Sequence, residues 1–385
     1  MQRLCTNIFL LCKFFALFHF IALTFSLFSS TIKVIFLEGG FIMAITIKDV
    51  AALAGVSPST VSRTCKNNPS ISEKTKEKVR IAMATLGYEP NFQASNLASQ
   101  NSRTIGIVLP VSERFIYVNS FFLEMIHGIN RYCNMHQYTT TLITGQTDEE
   151  ALQVIRSMIR SGKTDSFILL YSKQKDAIAD YLYNEGILFA LIGKAYQYAN
   201  QTIYIDTDNI LAGQDATEYL YKLGHRRIGY IGYEKTLLFS SDRKYGYQLT
   251  HFQYDLPLNP YYCIEIMDSF KKMPQELIDL LKHPERPTAF VVTDDFLGVS
   301  LEQSCRDCGL SVPDDISIIS FNNSLFAQLA TPPLTSIDIN SVQLGMEAAT
   351  QIIKHMENPN LSSTKIIVPH TIVERESCQK IETYH

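Results

Sequence analysis

A chain of 385 residues, 46% apolar and 19% charged, is composed like a folded globular protein, which excludes a disordered chain, a collagen-like repeat and a single small stapled scaffold. Its length suits two or three domains with real cores. The net charge of −4 is unevenly spread: residues 1–42 hold three basic and one acidic side chain, 43–103 eight and four, and 104–385 twenty-three and thirty-three. A small basic module before a large acidic body is a plan suited to a DNA reader with a regulatory body.

Residues 14–32 form an uncharged run rich in Phe and Leu, long enough as a helix to approach the thickness of a bilayer's hydrocarbon core. The segment 1–42 therefore has three readings: a membrane anchor, a signal peptide without an Ala-x-Ala site, or an upstream stretch preceding a true start at Met43. The third is preferred, because Met43 opens a complete helical module.

In that module, Thr46 can cap a helix whose Ile47, Val50, Ala51 and Ala54 form one apolar stripe, ended by Gly55. Ser57-Pro58 reads as the cap and first position of a second helix. Val56 and Val61 would face the core, while Ser59, Thr60 and Arg63 point outward near the helix start. A third helix begins near Ser72, buries Val79, Ala82, Met83 and Leu86, and ends at Gly87. Two helices joined by a short turn through Gly are a helix-turn-helix, whose second helix meets base edges in the major groove. Arg63 has the chemistry for a bidentate contact to guanine, although an isolated arginine on such a face is ordinarily just solvated. Lys48, Lys66, Lys74 and Lys76 are as plausible in phosphate contact as in solvent.

The stretch Ile47-Lys48-Asp49-Val50-Ala51-Ala52-Leu53-Ala54-Gly55-Val56-Ser57-Pro58-Ser59-Thr60-Val61-Ser62-Arg63 resembles the signature of the lactose-repressor (LacI/GalR) family. The resemblance continues through Leu86-Gly87-Tyr88-Glu89-Pro90-Asn91, Ala94 and Leu97 to Ile105-Gly106-Ile107-Val108. It implies double-stranded DNA contact by Thr46, Ser57, Ser59, Thr60, Ser62 and Arg63. It also implies a hinge helix in the minor groove, carried by Asn91, Ala94 and Leu97, with Leu97 as the wedge. Asn91 is a good cap, yet a helix this short needs DNA and a second subunit to hold it. Ser95 stands where the family often has Arg.

Beyond position 104, apolar runs alternate with helical stretches: 105–109, 140–143, 167–170, 188–192 and 203–205, then 227–231, 264–266, 289–292 and 316–319. This alternation predicts two doubly wound α/β lobes of parallel sheet, with a ligand in the cleft at the carboxyl ends of the strands. No Gly-x-Gly-x-x-Gly, phosphate loop, His-Glu-x-x-His or Gly-x-Ser-x-Gly occurs, so the cleft reads as a sensor, with no enzyme and no cofactor expected. The eight cysteines lack a secreted-domain spacing, and Cys305-x-x-Cys308, late in a helix, reads as structural rather than redox or metal chemistry.

The body also resembles the family's effector domain, itself similar to periplasmic sugar-binding proteins, through landmarks such as Gly224-His225-Arg226-Arg227 and Pro332-Pro333-Leu334-Thr335. That resemblance implies Arg243, Asp294 and Asp208 as effector contacts, with helix capping as the alternative reading of the two aspartates, more so for Asp208. Asn322 replaces the family's usual Asp, and Ile318-Ile319-Ser320-Phe321-Asn322-Asn323-Ser324 resembles the maltose-operon regulators within the family. Phe121, Phe122, Tyr245 and Phe296 border the expected cleft and suit sugar stacking.

The expected organisation is a hydrophobic extension (1–42), an all-α helix-turn-helix domain (43–90), a hinge (91–103), a periplasmic-binding-protein-like sugar-sensing domain (104–376) and a tail (377–385). The expected assembly is a cytoplasmic homodimer on a palindromic operator, switched by a small sugar. A membrane partner enters only if residues 1–42 are made, in which case an anchored or exported sugar receptor is the rival reading.

Overall fold

The computed structural model describes residues 45–65, 67–89, 102–110, 120–233, 237–267 and 273–381. The extension 1–42 and the hinge residues Asn91, Ala94 and Leu97 lie outside them. The chain divides into two compact units near positions 92 and 93.

The first unit holds α1 (Ile47–Ala54), α2 (Pro58–Cys65) and α3 (Glu73–Leu86). The Thr46 backbone N–H and hydroxyl both donate to Asp49 Oδ2, at 2.8 and 2.7 Å, which fixes the start of α1. Gly55 ends it in the left-handed region, at φ 68°. Val50, Ala51, Val61, Val79 and Ala82 form the buried centre, flanked by Ile47, Ala54, Val56, Met83 and Leu86. The apolar spacing seen in the sequence is thus the packing that joins the three helices. Lys76 is also buried, its ammonium donating to Glu73 Oε1 at 2.7 Å. Among the described lysines considered for phosphate contact, it is the one with a structural role.

The second unit is built on two six-stranded sheets. The first lobe contains β1 (Thr104–Val108), β2 (Thr139–Ile143), β3 (Ser166–Leu169), β4 (Phe189–Ile192) and β5 (Ile203–Asp206), with helices α4 (Ser120–Met135), α5 (Asp148–Arg160) and α6 (Ala177–Asn184). The second lobe contains α7 (Asn209–Lys222), β6 (Ile228–Tyr233), α8 (Leu238–Gln253), β7 (Cys263–Ile266), α9 (Gln275–Lys282), β8 (Ala289–Val292), α10 (Asp295–Asp307), β9 (Ser317–Phe321), α11 (Leu325–Leu329) and β10 (Thr335–Asp338). The chain then returns through α12 (Ser341–Glu357) and β11 (Lys365–Ile367) to the first lobe, and re-enters the second as β12 (Thr371–Val373).

The sheet orders are β11-β5-β4-β3-β1-β2 and β12-β10-β9-β8-β6-β7, with every pairing parallel except β12 on β10. Three crossings join the lobes: β5 to α7, β10 to α12, and β11 to β12. The nine strands expected from apolar runs are present within a residue or two. The sequence reading missed β10, β11 and β12, because β10 carries Ser336 and Asp338 and the other two are three-residue edge strands with exposed positions.

The body also extends past position 376. Ser377 is buried, donating to Ile318 O at 2.6 Å and accepting from Thr335 N, and Ile381 N donates to Leu223 O at 2.9 Å. Residues 377–381, expected as a tail, are therefore part of the second lobe.

Candidate functional site

On α2 the Ser57 hydroxyl accepts from Thr60 N at 3.2 Å and lies 2.8 and 2.9 Å from the Ser59 and Thr60 hydroxyls. Ser57 and Ser59 are exposed, Thr60 and Ser62 half-buried, and Arg63 exposed. The hydroxyls cluster at the positive end of the helix dipole. Arg63 stands elsewhere. The helix is only eight residues long, so Arg63 falls in its last turn, not near its start, and no ion pair among the described residues holds it.

In the second unit the carboxyl ends of the strands of both lobes converge. Arg243, on α8, is 3% exposed. Its Nε donates to Asn209 Oδ1 at 2.8 Å and its Nη1 to Thr293 O at 2.6 Å, while the guanidinium lies 4.2 Å from the Phe321 ring centre. Asn209 in turn donates to Asp206 Oδ1 at 3.0 Å. Burial draws the Arg243 pKa down to about 10 and raises Asp206 to about 7 and Asp294 to about 6. The result is a low-dielectric cluster of one cation and two reluctant carboxylates.

Two glycines make this cluster possible. A Cβ at Gly246 of α8 would lie 2.1 Å from Ile210 O, and one at Gly213 of α7 would lie 2.3 Å from Arg243 O. The two helices therefore cross backbone to backbone, which sets Arg243 beside the first residue of α7.

The other expected contacts divide. Asp294 ends in the cluster, although both its oxygens are already engaged: Oδ1 accepts from Leu297 N at 2.8 Å as the cap of α10, and Oδ2 from the Tyr233 hydroxyl at 2.6 Å. Asp208 is exposed and caps α7 through Leu211 N at 3.0 Å. The buried carboxylate at this crossing is Asp206, two residues earlier. Asn322 is buried at the end of β9 with φ 98°, a conformation that Asn tolerates better than most residues.

Among the aromatics, Phe122 sits in the first lobe's core beside Met125 and Ile129, while Phe121 is the half-buried one, edge-on to it. Phe296 is half-buried and edge-on to Phe326 at 5.5 Å. Tyr245 is 51% exposed: two positions beyond Arg243 on a helix is about 200° of rotation, so a side chain there faces away from the cluster.

The sequence reading missed Asp206, Asn209, Tyr233 and Asp295. Asp295 accepts from the Ser320 and Ser336 hydroxyls at 2.5 and 2.7 Å and from Ser324 N at 2.7 Å. The available signal was the polar run Asp206-Thr207-Asp208-Asn209 directly after an apolar strand.

Cys305 and Cys308 are free thiols, with Cys305 buried and its pKa pushed up to about 12. No group of residues suited to a metal ion occurs among the described residues. Nor is any helix among them long and apolar enough to cross a membrane. Residues 14–32 lie outside that statement.

Residues 46–91 match the family described as bacterial regulatory proteins, lacI family, and residues 217–378 match a periplasmic binding protein-like domain. The HTH-type transcriptional regulator MalR of Staphylococcus xylosus is 34% identical over 339 residues, which are 88% of this chain and 99% of that protein. A structure described as a probable maltose operon transcriptional repressor from Staphylococcus aureus is 28% identical, with a TM-score of 0.67 over 73% of this chain and 99% of that one. The lac repressor dimer bound to operator, at 22% identity, has a TM-score of 0.69 over 87% of this chain and 99% of that one, a likeness of fold. With its helix-turn-helix unit and two-lobed α/β body, the chain belongs to the LacI family of DNA-binding transcriptional regulators.

Proposed function

We propose that the protein is a cytoplasmic, non-enzymatic repressor of a carbohydrate-utilisation operon. It binds a palindromic operator as a homodimer and is released or modulated by a small sugar such as maltose or a maltodextrin. In this reading residues 43–90 read the major groove, 91–103 form the hinge, and the body from 104 onward senses the sugar. Two half-sites require two-fold symmetry, hence the homodimer.

The observation that carries the reading is the buried Arg243–Asn209–Asp206 chain beside Asp294 at the junction of the lobes. A sugar hydroxyl both donates and accepts, so it can bond a carboxylate and a guanidinium at once. The similar structure described as a probable maltose operon transcriptional repressor supports the choice of sugar. Closure of the lobes around the sugar would shift the hinges, at a coupling of about 1–3 kcal/mol.

The test is a gel-shift titration of the promoter fragment beside the protein's own gene, with and without maltose and maltodextrins. A specific complex weakened by one of these sugars supports the reading. Binding no tighter than to random duplex refutes the operator, and a complex indifferent to every saccharide refutes the effector.

A further inference from the structure

Two contacts tie the N-terminal end of α8 to the opposite lobe. Lys194, just past β4, places its Nζ 3.6 Å from Asp242 Oδ2, and the backbone of Lys173, just past β3, forms an isolated antiparallel bridge with Leu237. The backbone on each side of the ion pair is anchored. The Ser172 hydroxyl donates to the Lys194 carbonyl. Gly193, at φ 105°, donates to Ile205 O at 2.8 Å, and a Cβ there would come within 2.9 Å of Ser172 Cβ. The Lys194 backbone is thus fixed between β3 and β5, while Asp242 rides on the helix that also carries Arg243. Burial raises the Asp242 carboxyl and Asp208 adds to the rise, while Lys194 opposes it by its charge and a hydrogen bond.

We propose that Lys194 and Asp242 form a clasp across the interlobe cleft that holds the lobes together before any effector arrives and so sets how much effector is needed. The clasp itself stands apart from the sugar assignment; its consequence for binding rests on that assignment. Because a ligand that binds the closed arrangement has its apparent affinity scaled by the fraction already closed, releasing the clasp weakens binding without touching a ligand contact. With Lys194 half exposed and Asp242 largely buried, a partly solvated pair of this kind is worth about a two- to fivefold change in the equilibrium.

The experiment uses the full-length chain with Lys194→Met, Asp242→Asn and the exchanged pair Lys194→Asp with Asp242→Lys. Hydrogen exchange without ligand reads the amides of residues 172–174 and 237–241. The clasp predicts about two- to fivefold faster exchange there in each single variant, recovery in the exchanged pair, and a smaller difference from wild type in 0.5 M NaCl, where the charges are screened. Calorimetric titration with maltose then predicts a matching loss of apparent affinity in the single variants. Unchanged exchange in both single variants, or no recovery on exchanging the charges, overturns the clasp. If exchange behaves as stated but the wild-type chain ignores maltose, the clasp stands and the sugar assignment falls.

Discussion

Replacing Arg243 with Ala tests the centre of the site. The side chain makes two charge-assisted hydrogen bonds in a buried setting, to Asn209 Oδ1 and Thr293 O, each worth about 1.5–3 kcal/mol. Its loss leaves both acceptors unpartnered and removes the cation facing Asp206 and Asp294. Part of that cost is relieved, because burial already raises these carboxyls to about 7 and about 6 and without the guanidinium they take up protons more readily. We therefore expect a loss of ~3 kcal/mol, near the low end of the penalty for breaking a buried charged contact, and a fall in Tm of roughly 6–12 °C. The deficit should be smaller at pH 6 than at pH 8, since the stranded acids carry less charge at the lower pH. Thermal unfolding followed by circular dichroism measures this, and gel shifts on the same sample ask whether operator binding survives while the sugar response is blunted. A Tm within 1 °C of wild type would show that the buried chain of bonds is not made; an undiminished sugar response would remove Arg243 from the effector contacts.

Asp206→Asn should flatten the pH dependence of stability. Burial raises this carboxyl in the folded chain, so its favourable contribution is full below the ordinary carboxylate range and is lost as pH rises to about 7; an equal slope in wild type and variant between pH 5 and 8 would contradict this. Gly246→Ala should force α7 and α8 apart, because its Cβ meets Ile210 O at 2.1 Å; overpacking of this sort costs about 1–3 kcal/mol or more, and denaturant unfolding reads it. Arg63→Ala should weaken operator binding by about 1–3 kcal/mol with little change on random duplex. A uniform loss across both DNAs would make Arg63 a phosphate contact. Asp294→Asn should keep the cap of α10, since Asn caps as well as Asp, while changing the sugar response; loss of folding instead would mark the carboxylate as purely structural.

Much of this molecule is written locally. The cap at Thr46, the apolar spacing of Ile47, Val50, Ala51 and Ala54, and the glycine stops at Gly55 and Gly87 depend on neighbours within a few residues, so the helix-turn-helix can be read directly from the chain. The same holds for the strands buried on both faces, such as β3, β4, β8 and β9, which leave continuous hydrophobic runs, while the edge strands β2 and β7 keep exposed positions. What escapes is whatever depends on a distant partner. β10, β11 and β12 are strands because a neighbouring strand satisfies their backbone, and Ser377 belongs to the second lobe because Ile318 and Thr335 bond it.

The site divides in the same way. A conspicuous arginine and strand-end acids were visible as residue types, but which of them meet was decided by one helix crossing at Gly213 and Gly246 and by the phase of α8. That crossing buries Arg243 and turns Tyr245 outward. Asp206 rather than Asp208 faces the arginine's network, because one ends a buried strand and the other begins an exposed helix cap. Sequence by itself determined the helix-turn-helix, nine of the strands and the family. Only the tertiary structure decided the geometry of the cleft, since burial and pairing between residues tens of positions apart are properties of the packed chain and not of any stretch of it.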